Sequence, residues 1–107
     1  MNCIKLEELQ QSEPLSGLKV RFVHSENMTL AFWEIKENAI LPDHNHVHEQ
    51  VSMVTKGEFE LTVDGETKIL KQGMVAIIPS FARHSARAIT ECEVTDTFYP
   101  VREDYKK

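Results

Sequence analysis

Three of the chain's five histidines fall within one short stretch, DHNHVHEQ (43–50). Imidazole is the commonest metal ligand among side chains. In an extended strand, residues two apart point to the same side, about 6–7 Å along the chain. His44 and His46 can therefore converge on one ion. His48 and Gln50 share that parity, but a straight strand from 44 to 50 spans about 20 Å. For Gln50 to bind the same ion, the backbone must bend between His46 and Gln50. A polar loop with exposed histidines is the plainer reading of any single one. An HxH pair followed by HEQ and a β-run favours a metal site.

A second segment, GMVAIIPSFARHSARA (73–88), strengthens that reading. It reads as turn, apolar strand, proline, short loop and then His84. Pro79 lacks an N–H, so a central strand should end near it. His84 then lies past the strand, where its side chain can turn back toward the other histidines.

The elements that must position these groups are strands. KVRFV (19–23), MTLAFWEI (28–35), VSMVT (51–55), EFELTV (58–63), ETKIL (66–70), MVAII (74–78) and VTDTF (94–98) are short runs rich in Val, Ile, Thr and Phe. Asp64-Gly65 is the strongest hairpin signal, because a type I′ turn needs positive φ at both central residues. Gly57 and Gly73 mark two more turns. Ile4 to Gln11 has room for one or two helical turns, and Pro14 to Gly17 punctuates it. The tail PVREDYKK (100–107) reads as an irregular extension. Regular short strands without long helices predict an all-β sandwich or barrel. The expected organisation is a single domain over 1–107, with the barrel over about 19–99.

Composition narrows the partners. The 107 residues carry a formal charge of -5, with both signs mixed along the chain. Nucleic acid and anionic membrane both call for a basic footprint, so neither is an expected partner. Cys3 and Cys92 stand in no ligand spacing and read as free thiols of a reducing compartment. The start MNCIKLEELQQSE shows no basic segment followed by an apolar run. No stretch approaches the ~20 apolar residues of a spanning helix. A cytoplasmic protein is expected.

In these residues the chain resembles the cupin superfamily. Its first motif carries an H-x-H pair, an acidic ligand and a closing glycine, matched here by His44, His46, Gln50 and Gly57. Its second is matched by Gly73, Pro79 and His84. Asn38 and Phe81 stand where the motifs have glycine, and Ala88 stands where the second ends on asparagine. The resemblance runs from about Lys36 to Ala88. It implies a double-stranded β-helix (jelly-roll) barrel with a short N-terminal extension. It also implies one divalent transition metal (nickel, zinc, manganese or iron(II)) on His44, His46, Gln50 and His84. Most cupins have glutamate at position 50. The neutral amide leaves the metal its full double charge, which suits holding an anion as a Lewis acid.

The ending TDTFYPVREDY (95–105) further resembles the KdgF-type cupins of pectin and alginate breakdown. That likeness implies conversion of 4,5-unsaturated monouronates to linear 5-keto forms by ring opening and tautomerisation. It implies working roles for Asp96, Phe98 and Arg102: proton carrier, apolar wall and carboxylate clamp. Each has a plainer reading: a surface aspartate, a core phenylalanine, and an arginine paired with Glu93, Glu103 or Asp104. His48 is expected beside the ligands without coordinating. Arg83 and Arg87 read as surface residues, Phe32 and Trp33 as core or dimer contacts. A metal-dependent dioxygenase and a non-catalytic sugar-binding cupin remain alternatives. The partner expected is a small anionic sugar, and the chain, with sheet edges to cover, is expected to form a homodimer.

Overall fold

Ten strands form in the computed structural model, which describes residues 1–106. They are β1 (Ser12–Leu15), β2 (Leu18–His24), β3 (Thr29–Ile35), β4 (Ile40–His44), β5 (Glu49–Lys56), β6 (Glu58–Val63), β7 (Glu66–Lys71), β8 (Val75–Ile78), β9 (His84–Ala88) and β10 (Cys92–Tyr99). One sheet runs β1-β2-β3-β10-β5-β8 and the other β4-β9-β6-β7. The pairings are antiparallel. The two sheets face each other as the expected jelly roll.

Alternation along each strand decides which side chains enter the gap. Leu18, Ile35, Val54 and Val94 of the six-stranded sheet pack against Phe59, Leu61, Leu70 and Ala86 of the other. Val20, Ala31 and Phe98 form a smaller cluster nearer the C-terminal tail. The Asp64-Gly65 turn has φ of 47° and 84°, as a type I′ hairpin needs. Gly57 is required for space as well as for its φ: a Cβ there would stand 2.2 Å from the Glu91 carbonyl oxygen.

Three strands escape the propensity pattern. β4 and β9 carry Pro42, His44, His84 and small alanines, with Ile40 their one β-branched residue. His84 lies past β8, as expected, but it opens a further strand, β9. Pro14 lies inside β1 instead of ending a segment. At the sheet's outer edge its missing N–H interrupts no ladder. The N-terminal helical expectation reduces to one 3-10 turn, Leu6–Glu8.

The tail is more ordered than expected. A cis Tyr99–Pro100 bond is followed by a 3-10 turn at Glu103–Tyr105. Tyr105 stacks on Phe22, with ring centroids 4.5 Å apart. Asn38 and Phe81, at the motif positions of glycine, keep the left-handed backbone, with φ of 69° and 65°.

Candidate metal centre and acid–base site

His44 and His84 are direct cross-strand partners on β4 and β9. Their shared direction depends on a bulge. Leu41 pairs with Ala86 and His44 with His84, so β4 holds one extra residue between them. Without it, strict alternation would turn His44 outward while Leu41 faces the core. His46 follows on the loop before β5. One ligand atom from each of His44, His46 and His84 lies within 4.8 Å of the others.

The ring nitrogens are assigned by their partners. The Nδ1 atoms of His44, His46 and His84 lie 2.8, 3.0 and 2.9 Å from the carbonyl oxygens of Pro42, His48 and Ala82. A carbonyl only accepts, so each Nδ1 carries the proton and donates it. Each Nε2 is left with a lone pair. His84 Nε2 is buried with no hydrogen-bond partner. Burial, and then the positive charge of Arg102, pushes His46 down to about 4. Burial likewise lowers His84. Neutral imidazoles with Nδ1 tied to carbonyls are the form a transition metal takes.

Gln50 opens the inward face of β5, and the chain bends between His46 and Gln50 as its spacing requires. Its amide is oriented by its neighbours. Nε2 donates to Ser52 Oγ at 3.1 Å, and Ser52 Oγ donates to Asp96 Oδ1 at 2.5 Å. Gln50 Oε1 then faces His46 Nε2 at 3.1 Å. With His46 neutral and protonated on Nδ1, two lone pairs confront each other there. A cation between them would turn that repulsion into ligation. The donor set of three imidazoles and an amide oxygen fits a divalent transition metal.

Asp96 sits on β10 opposite Ser52 of β5 and Ala31 of β3. Desolvation pushes its carboxyl up to about 6, against the Ser52 hydroxyl that donates to it and the charge of Arg102. Phe98 shares its inward face. Its ring lies edge-on to His46, with centroids 5.6 Å apart, so it is at once a core residue and a wall of the site. Arg102 folds back from the tail, its backbone N–H donating to Thr29 Oγ1 at 2.9 Å. Its guanidinium carbon lies 4.8 Å from the Phe98 ring centroid and 4.0 Å from that of Tyr105. It is buried, and of the three acidic partners it pairs with Asp104.

The structure thus brings together all seven expected residues. His48 lies beside them, its ring 5.4 Å from His46, but outside the converging trio. Arg83 and Arg87 pair at the surface with Asp43 and Glu60. Trp33 packs inward against both clusters. Sequence reasoning missed Ser52 and Tyr105. Ser52 was available from parity, being two residues beyond Gln50 on one face of a strand. Tyr105 was not, because its place depends on the fold of the tail. An open groove of about 1040 Å³ is lined by Phe22, His24, Trp33 and Tyr105, but by none of the three histidines.

The cupin domain family matches residues 31–98, a span that holds the site residues other than Arg102 and Tyr105. The chain is 29% identical over 102 residues to the pectin degradation protein KdgF of Dickeya dadantii (strain 3937), covering 92% of this chain and 93% of that protein. Among solved structures, it is similar to an RmlC-like cupin from Shewanella frigidimarina NCIMB 400, with TM-score 0.88, 32% identity and 92% and 90% of the two chains covered. It is also similar to KdgF from Halomonas sp., with TM-score 0.86, 26% identity and 92% of each chain covered. With the matched span enclosing the three histidines, the amide and the buried aspartate, the chain belongs to the cupin family.

Proposed function

We propose that this chain converts 4,5-unsaturated monouronates, released from pectin or alginate, into linear 5-keto acids. One observation carries the reading. A buried carboxyl poised near neutrality, Asp96, is joined through Ser52 to the amide that faces the histidine cluster. The likeness to the two KdgF proteins supports a sugar acid as substrate.

The substrate ring is a hemiacetal whose ring oxygen belongs to an enol ether. No redox change is needed to open it. A divalent metal on His44, His46, Gln50 and His84 would supply Lewis-acid charge for an anionic oxygen of the sugar. Asp96, ionised above about pH 6, takes the proton of the anomeric hydroxyl. The aldehyde forms as the bond from the anomeric carbon to the ring oxygen breaks, and that oxygen keeps the electron pair as an enolate. The protonated Asp96 returns its proton to the enolate carbon, giving the ketone. Phe98 walls the ring, and Arg102 holds the carboxylate through its planar fork.

The test is turnover of an unsaturated monouronate by metal-loaded protein, followed as loss of absorbance from the conjugated double bond without oxygen uptake. Asp96→Asn should slow it by about 10²–10⁴-fold at unchanged metal content. Full activity in that variant would remove Asp96 from the reaction.

A further inference from the structure

The C-terminal tail holds an ion pair of unequal members. The Arg102 side chain is 8% exposed, whereas that of Asp104 is 55% exposed. Asp104 Oδ1 accepts from Arg102 Nε at 3.0 Å, and Oδ2 accepts from Nη2 at 2.7 Å. This is the side-on grip of a guanidinium. Of the five N–H donors, it uses the one on Nε and one on Nη2. The end-on fork, made by Nη1 and the second N–H of Nη2, is not used by Asp104.

The guanidinium is held in its other dimensions too. Phe98 and Tyr105 lie within 4.8 and 4.0 Å of its carbon. Tyr105 is backed by Phe22, and the Arg102 backbone is tied to Thr29. The Phe98 ring that Arg102 touches lies in turn against His46, with centroids 5.6 Å apart, which sets the guanidinium beside the histidine cluster. An exposed ion pair by itself contributes little. Here an exposed carboxylate restrains a buried arginine, and the effect falls on the arginine.

Resting on the function proposed above, we infer that Asp104 is a positioning residue for substrate selection: gripping the side-on edge of Arg102, it presents the end-on edge to the carboxylate of a sugar acid. A free guanidinium can rotate and offer either edge, and it loses that freedom on binding. Fixing one edge beforehand lowers this entropic cost. Because Asp104 also balances the charge of Arg102, recognition depends on the paired geometry of a carboxylate more than on net charge.

The test uses the metal-loaded full chain with three probes: the unsaturated uronate for turnover, and galacturonate and galactose for calorimetric binding. Asp104→Asn and Asp104→Ala should each raise KM for the uronate about tenfold, with kcat changing much less. Galacturonate affinity should fall by a similar factor, while galactose binding and metal content stay constant. Asp104→Glu, which keeps the charge, should recover part of the loss. If Arg102→Ala raises KM and Asp104→Asn does not, the role of Asp104 is overturned while the proposed function stands. Equal losses for galacturonate and galactose would also overturn it, by reducing Asp104 to a shape-giving residue. If the unaltered protein neither turns over the uronate nor prefers galacturonate to galactose, the proposed function falls and this inference with it.

Discussion

Followed along their inward faces, β5, β9 and β10 pass from one kind of interior to another. At one end they carry Val54, Ala86, Ala88, Cys92 and Val94, packed on Phe59, Leu61 and Leu70. At the other end the same alternation delivers Gln50, Ser52, His84 and Asp96, all buried. The hydrogen-bonded ladder does not distinguish the two ends. Only the side chains do. A buried polar group without a partner costs about 1–3 kcal/mol, so the second region depends on internal satisfaction. Gln50, Ser52 and Asp96 satisfy one another. His84 Nε2 stays unpartnered, and this marks where a ligand must come. The apolar end therefore stabilises the fold, and the polar end leaves His84 Nε2 open to a ligand.

The contrast breaks first at its apolar end. Phe59→Ala should lower the unfolding free energy by about 3–5 kcal/mol in a denaturant titration, while the folded fraction keeps its metal stoichiometry. A loss of metal affinity in proportion would show that the two ends are not separable. Next comes the polar end. A divalent ion at a hundred times its Kd should raise the stability of the unaltered chain by about 2.7 kcal/mol. His84→Ala should abolish that rise. If the variant is still stabilised by the ion, the histidine cluster is not where it binds.

The smallest effect sharpens the contrast. The proposed reaction uses the Asp96 carboxylate, so kcat/KM should be level above about pH 6 and fall tenfold per pH unit below it. Stability should move the other way. With its folded pKa raised from 3.8 to about 6, Asp96 holds in the folded chain a proton that the unfolded chain has already lost between those values. Its contribution to stability is therefore greatest below that window and declines as pH rises through it. A pH–rate profile and denaturant midpoints measured together would check this. Asp96→Asn should flatten the stability trend. A trend unchanged in Asp96→Asn would assign it to another group.

Much of this was legible before any coordinates. Asp64-Gly65 places a hairpin, and the flanking runs of β6 and β7 follow from it. His44, His46 and Gln50 announce a ligand cluster by parity. β9 was not legible, because Ala86 and Ala88 are buried in the core yet carry no β-propensity signal. β4 was hidden by Pro42, and its bulge cannot be read from alternation, since it is alternation that the bulge breaks. The tail was the largest shortfall. Nothing periodic in PVREDYKK tells that Arg102 is buried against two rings. That depends on Phe98 and Phe22, distant in sequence.

The uncharged amide at position 50 has a consequence that reaches past coordination. Ser52 owns a single hydroxyl hydrogen, and two neighbours can compete for it. Because Gln50 offers an N–H to that hydroxyl, the hydrogen is free to turn toward Asp96. A glutamate would need it for itself and would set a second negative charge nearby, making Asp96 harder to ionise. The choice between amide and acid at position 50 thus bears on how readily Asp96 ionises.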